Sequence, residues 1–158
     1  MAKDKPKPEH MLRITNRRAN HDYFIENKVE CGIVLMGTEV KSLPHGLGQI
    51  NDAFAQIRQG ELYLVNSYID PYTKAAIVYN HDPRRERKLL IHKRERHKLE
   101  EALEVKGTTL IPLAMYFKEG KVKVEIGVGR GKQQHDKRRT IKENEINREI
   151  KRAMSYRQ

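Results

Sequence analysis

The chain has one cysteine, Cys31, and no tryptophan; three phenylalanines and seven tyrosines are all its aromatic rings in 158 residues. A lone thiol excludes an internal disulfide and suits a reducing compartment. With so few rings, little is left for a face of stacked bases once a core has taken its share. Long apolar runs are also missing. No stretch approaches the ~20 residues that span a bilayer, and the basic segments lack the Trp, Phe and Leu of an interfacial helix. The opening Met1-Ala2-Lys3-Asp4-Lys5-Pro6-Lys7-Pro8 has no apolar h-region, so neither export nor a membrane is expected, and the expected compartment is the cytoplasm.

Positive charge is what the chain has in excess. Thirty-two Lys and Arg stand against 21 Asp and Glu, a net +11, and a polyanion is the natural partner because neutralised phosphates release condensed counterions. Residues 130–158 hold ten basic and four acidic side chains with little apolar content. A segment that polar cannot offset its ordering entropy, so a tail disordered when free is expected. His81 to Lys98 is a second concentration, with eight basic side chains against three acids. There Arg84, Arg85, Arg87 and Lys88 follow Pro83 in a loop whose guanidinium groups can grip phosphates in forked pairs. A solvated charged face is the plainer alternative, and it weakens when two such runs share one small chain.

The organisation expected is a loose N-terminus over 1–15, one domain over 16–129 and the basic tail over 130–158. Tyr23 to Met36 reads as extended chain with a bend near Gly32. Thr38 suits the N-cap of a short helix stopped by Pro44. Ala53–Ile57 and Leu62–Ile69 flank the turn signal Arg58-Gln59-Gly60-Glu61. Lys74–Tyr79 is a further apolar run with strand character. Leu89 to Val105 reads as a helix with Leu99 and Leu103 on one face and Gly107 at its end. Thr108–Phe117 and Lys121–Val128 alternate and are joined by Lys118-Glu119-Gly120. Short strands at close spacing predict a mainly β fold, a small antiparallel barrel of the oligonucleotide-binding (OB) kind with two or three short flanking helices.

Catalysis finds no constellation. His21-Asp22, His81-Asp82 and His135-Asp136 suggest a metal-dependent hydrolase of RNA, but three dipeptides in loops lack the further ligands such a site needs, and turn chemistry explains them better. Cys31 has no adjacent activating base. Gly127-Val128-Gly129-Arg130-Gly131 lacks the Gly-Lys-Ser/Thr spacing of a phosphate loop and reads as a flexible exit from the barrel. No enzyme, metal, cofactor or small-molecule substrate is expected.

Several segments together resemble a known family. Asn16-Arg17-Arg18-Ala19 with His21 and Tyr23-Phe24-Ile25-Glu26, Glu39-Val40-Lys41-Ser42-Leu43, Asp82-Pro83-Arg84-Arg85 with Arg87-Lys88-Leu89-Leu90, and Gly131-Lys132 through His135-Asp136-Lys137-Arg138 resemble the SsrA-binding (SmpB) family, in order over about residues 16 to 142. The resemblance implies a barrel that binds the tRNA-like domain of transfer-messenger RNA (tmRNA) and delivers it to stalled ribosomes in trans-translation. It implies Glu30, Leu90 and His92 as contacts to that RNA. It also implies a tail that turns helical as it meets small-subunit rRNA at the decoding centre and the empty messenger channel, with Lys132, His135, Asp136, Lys137 and Arg138 at its key positions. Beyond these, Ile146, Ile150 and Met154 would line one side of such a helix. The chain departs from the family at Pro44, Leu47 and Gln49, which remove two positive charges, at Gln133 in place of a second lysine, and at Phe54 in place of a tyrosine. A monomer is expected. The alternative expectation is a generic ribosomal or single-strand RNA-binding barrel whose tail only adds affinity.

Overall fold

Two turns that only a few residue types tolerate set the hairpins. Gln59 and Gly60 (φ 51° and 74°), and again Glu119 and Gly120 (φ 52° and 75°), have positive φ at both central positions, the backbone of a type I′ turn whose twist matches the strands it joins. A computed structural model describes residues 13–45 and 48–156, so 1–12 and Leu47 lie outside the described residues. The strands are β1 (Arg13–Thr15), β2 (Tyr23–Ile33), β3 (Gly48–Gln49), β4 (Phe54–Arg58), β5 (Glu61–Val65), β6 (Tyr68–Ile69), β7 (Arg87–Leu90), β8 (Thr108–Lys118) and β9 (Lys121–Gly131). The helices are α1 (Ala19–Asp22), α2 (Gly37–Ser42), α3 (Lys93–Leu103) and α4 (Gln134–Ser155).

The antiparallel order β8-β4-β5-β7-β2-β9 closes on itself because β9 also pairs with β8, while β1 pairs with Ala114 to Tyr116 of β8, further along that strand from the point where β4 joins at Leu110. Closure removes free sheet edges, and the mainly β barrel with short flanking helices is the architecture expected. Cys31, Leu62, Leu64, Leu89, Leu110, Met115, Val124 and Ile126 fill its interior, and Leu99 of α3 joins them. Burial pushes the Cys31 thiol up to about 12, so it is packing material and not a nucleophile.

Several local expectations change. Arg13 to Thr15, read from the sequence as part of the loose N-terminus, form β1 and pair with Ala114 to Tyr116. Gly32 is no bend: it lies in register between Leu90 and Lys123, and a Cβ there would come 3.3 Å from Leu90 Cβ. The irregularity of β2 falls between Ile25 and Lys28. Thr38 is not the N-cap of α2. The Met36 N–H donates to Glu39 Oε2 (2.8 Å) at that helix start, while the Thr38 hydroxyl bonds His81 Nδ1 (2.8 Å). Lys74–Tyr79 is not a strand. The Asn80 amide accepts from the Tyr72 N–H (3.0 Å) and donates to its carbonyl (2.9 Å). This ties the loop at its base, and Ile77, Val78 and Tyr79 form an exposed 3₁₀ turn at its tip.

The long helix expected over Leu89–Val105 divides, because Leu89 belongs to the barrel and Leu99 to a separate helix that starts after His92. Gly127 and Gly129 are no flexible exit either. They are strand residues whose added Cβ would meet Ile25 Cγ2 at 2.8 Å and Ile111 Cδ1 at 2.6 Å. Only glycine lets those side chains cross the strand.

Candidate nucleic-acid interface

Strand alternation decides which residues share the barrel's outer face. Gly32 pairs with Leu90 on one side and Lys123 on the other, and Lys123 pairs in turn with Tyr116. A side chain two residues along each strand returns to the same face, which adds Glu30, Lys118 and Lys121. Beside this face lies a groove of about 570 Å³, lined among others by Glu30, Leu90, His92, Lys121 and Lys123. It unites three residues singled out from the sequence. Leu90 is 52% exposed because it lies over the bare face of Gly32, and His92 occupies the N-cap position of α3.

Glu30 is held. The Tyr116 hydroxyl donates to its Oε2, and Lys118 Nζ stands 3.1 Å from Oε1. The Tyr116 bond first, and Lys118 second, hold the carboxyl below the usual carboxylate range. In the same contact burial and Glu30 push the phenol up to about 12. A carboxylate has about four acceptor positions, so this fixed anion keeps capacity for amino or hydroxyl donors of a base or ribose.

The basic run 84–88, expected as a loop, ends in β7, which holds Arg87 and Lys88, and it sorts into two kinds of side chain. Arg87 is fully buried, 0% exposed, and cannot grip a phosphate. Its Nε donates to Glu39 Oε1 (2.8 Å), and its other N–H groups meet Ser67 Oγ (2.8 Å), Ser67 O, Arg85 O and Pro83 O. Glu39 is equally buried and also takes the Arg85 fork at 3.0 and 2.7 Å. Burial alone would raise the Glu39 carboxyl, but the Arg85 fork, the Met36 N–H and Arg87 together hold it low. A buried carboxylate demands such company. The phosphate role expected of Arg87 is therefore corrected to one inside the fold, and the Arg85 fork is largely committed to Glu39. Arg84 and Lys88 face outward. Arg84 donates to Asn66 Oδ1 (2.9 Å) above the Tyr68 ring, and Lys88 pairs with Glu61 (2.7 Å).

The tail residues divide similarly. Lys132 and Lys137 lie against α1, with Lys132 Nζ donating to Asn20 O (2.8 Å) and Lys137 Nζ 3.4 Å from Asp22. Arg138 is exposed, and His135 is exposed beside Asp136 in the first turn of α4. The three His-Asp dipeptides stay apart in function: His21 bonds Asp22 (2.8 Å), whereas His81 is buried and bonds Thr38 and the Ile69 carbonyl. Among the described residues no group of three or more His, Cys, Asp or Glu side chains is placed to hold a metal ion. No described helix is long and apolar enough to cross a membrane.

The model of the SmpB protein family matches residues 13–156. The chain belongs to the SmpB family. Curated SsrA-binding proteins run alongside it almost end to end. That of Geobacillus sp. (strain WCH70) is 49% identical over 97% of this chain and 98% of its own length. That of Staphylococcus epidermidis (strain ATCC 35984) is 48% identical over 99% of each, and that of Thermosynechococcus vestitus is 50% identical over 90% of this chain. A solved chain from "tmRNA-SmpB: a journey to the center of the bacterial ribosome" is 51% identical, covers 77% of this chain and 85% of its own, and superposes with a TM-score of 0.65.

Within this SmpB-family barrel, the residues that sequence reading missed are Tyr116, Lys118 and Lys123. Their signal was present in the alternation of the β8–β9 hairpin, where every second residue faces out beside Glu30. Glu39 gave no such signal, because nothing local tells a buried glutamate from an exposed one. Of the departures from the family pattern, Pro44 sits in a 3₁₀ turn after α2 and Gln49 in β3. Gln133 precedes α4 and its carbonyl accepts from the Asp136 and Lys137 N–H groups, a backbone role that does not need a lysine.

Proposed function

We propose that this chain is a non-enzymatic RNA-binding adaptor of trans-translation. It acts as a monomer in the cytoplasm, its barrel on the tRNA-like domain of tmRNA and its tail in the decoding centre and empty messenger channel of a stalled ribosome. The observation that carries the reading is the groove: Glu30 of β2 comes together with the sequence-distant Leu90 and His92 to line one groove of a chain whose near full-length relatives are named SsrA-binding proteins. The groove supplies fit, through an acceptor anion, an exposed leucine and an imidazole. Arg84, Lys88 and the lysines of the hairpin supply phosphate attraction.

The tail supplies the second half. None of the residues of α4 is buried, so it draws little from packing, and contact with rRNA is what would secure it as a helix. His135 can stack on an unpaired base while Lys132, Lys137 and Arg138 neutralise phosphates. An occupied messenger channel leaves no room for it, so the absence of message is sensed by exclusion.

The test is binding of the tRNA-like domain by the full chain and by residues 1–132 across a salt series. Tight, selective binding by the shorter chain is the expected result and assigns the tail to the ribosome. Loss of most affinity, with a salt slope shallower by several units, would instead make the tail a general RNA clamp and favour the generic RNA-binding barrel.

A further inference from the structure

We propose that α1 and the start of β2 form a socket for the tail, in which Asp22 is a positioning residue that sets the direction α4 takes from the barrel. This inference rests on the tail's ribosomal role proposed above. Three contacts make the socket. The Lys132 N–H donates to the Asp22 carbonyl (2.9 Å), one step beyond the last β2–β9 pair, Tyr23 with Gly131. The Lys132 ammonium donates to Asn20 O (2.8 Å) and to Thr140 Oγ1 (2.9 Å) and stands 4.9 Å from the centre of the Phe24 ring. The Lys137 ammonium reaches Asp22 Oδ1 at 3.4 Å, an oxygen that also takes His21 Nδ1 at 2.8 Å.

Lys137 and Thr140 are three residues apart, so they share one side of α4. That side faces the barrel, and His135, Arg138 and Arg139 are left exposed. From Ile141 to Tyr156 every residue is exposed, so the first two turns alone can fix where the helix points. An ammonium group has three N–H donors. With Asn20, Thr140 and the Phe24 face around it, Lys132 has little left for a phosphate while the socket is closed.

Each contact is partly exposed and weak singly. The socket therefore holds an equilibrium that a phosphate can shift by taking either lysine. It presents the tail in one direction during approach, then exchanges Asn20 and Asp22 for RNA as the tail engages. The lysines that aim the tail are the ones that release it.

The test uses full-length protein with nitroxide labels at Gln56→Cys on β4 and Glu145→Cys on α4; the buried native thiol stays unlabelled. Pulsed electron resonance should give a narrow distance distribution. Asp22→Lys should broaden it, Asp22→Ala should broaden it less, and Asp22→Lys with Lys137→Asp should narrow it again. An unchanged distribution in Asp22→Lys overturns the socket. In parallel, tagging of stalled chains by Asp22→Lys should fall about fivefold or more, as the competent fraction shrinks. Its affinity for the tRNA-like domain should stay within about twofold, since the groove is distant and independent. Tagging unchanged despite a broadened distribution overturns the positioning role. Deletion of 133–158 that leaves tagging intact would sink the tail's ribosomal role instead, with the distance measurement still deciding the socket.

Discussion

The barrel and the tail helix treat charge in opposite ways. In the barrel, Glu39 and Arg87 are both wholly buried, and Ser67, Arg85 and backbone carbonyls complete their bonding. In α4, over 22 residues, nothing is buried. Its Ile146, Ile150 and Met154 stay exposed beside its lysines and arginines. Charge in the first region is used to join α2, β7 and the 82–86 loop into one piece, so its energy is spent on folding. Charge in the second, apart from Lys137 against Asp22 and Arg139 against Glu143, is left open to something outside the chain. Two runs that look alike in composition thus do different work, and burial is what separates them.

The sharpest way to break this comparison is to treat the barrel's charge as if it were surface charge. Arg87→Ala leaves Glu39 buried with one of its three partners gone, and removing one member of a buried pair costs about 3–5 kcal/mol. Chemical denaturation should show a loss of that size. A loss under about 1 kcal/mol, the range of exposed pairs, would mean the network is solvated.

The groove comes next in size. Glu30→Ala and Leu90→Ala should each weaken binding of the tRNA-like domain roughly tenfold, within the ~1–3 kcal/mol of a good base contact. Leu90 is 52% exposed, so the denaturation midpoint of Leu90→Ala should barely move. A large stability loss with intact binding would make the groove a packing feature.

Acid sharpens the same contrast. The folded barrel holds the Glu39 carboxyl below the ordinary glutamate value, with its burial outweighed by Arg85, the Met36 N–H and Arg87. Its contribution is therefore present in full above that value and is lost as pH falls through the lower folded value. Thermal unfolding followed from pH 6 to pH 3 should show declining stability over the acid end, and Glu39→Gln should flatten that decline. An identical slope in the two proteins would remove Glu39 as its source.

Much of the barrel was legible because its signals are local. Gln59-Gly60 and Glu119-Gly120 announce turns by backbone chemistry, and the β8–β9 alternation states its own faces. Glu30, Leu90 and His92 were found by resemblance, and only the register of β2 against β7 and β9 brings them together. Arg87 was misread for a reason that composition cannot repair: it sits among Arg84, Arg85 and Lys88, and strand alternation buries it while its neighbours remain outside. Ile77, Val78 and Tyr79 were misread as a strand because an apolar run carries no mark of whether a partner strand exists. There the Asn80 clamp on Tyr72, a tertiary contact, decides.

The smallest expected effect is also the one that most directly tests the independence of the two regions. Removing residues 133–158 takes away a helix with no buried residue but keeps Lys132 and its bond to Asn20. The barrel loses one partly exposed ion pair, Lys137 with Asp22, and such pairs are worth about 0–1 kcal/mol. The denaturation midpoint of the shortened chain should therefore stay within that margin, while tagging of stalled chains disappears. A stability loss of several kcal/mol, beyond what partly exposed pairs supply, would show that α4 packs on the barrel as a fourth flanking helix. The division between a folded reader and a free probe would then have to be abandoned.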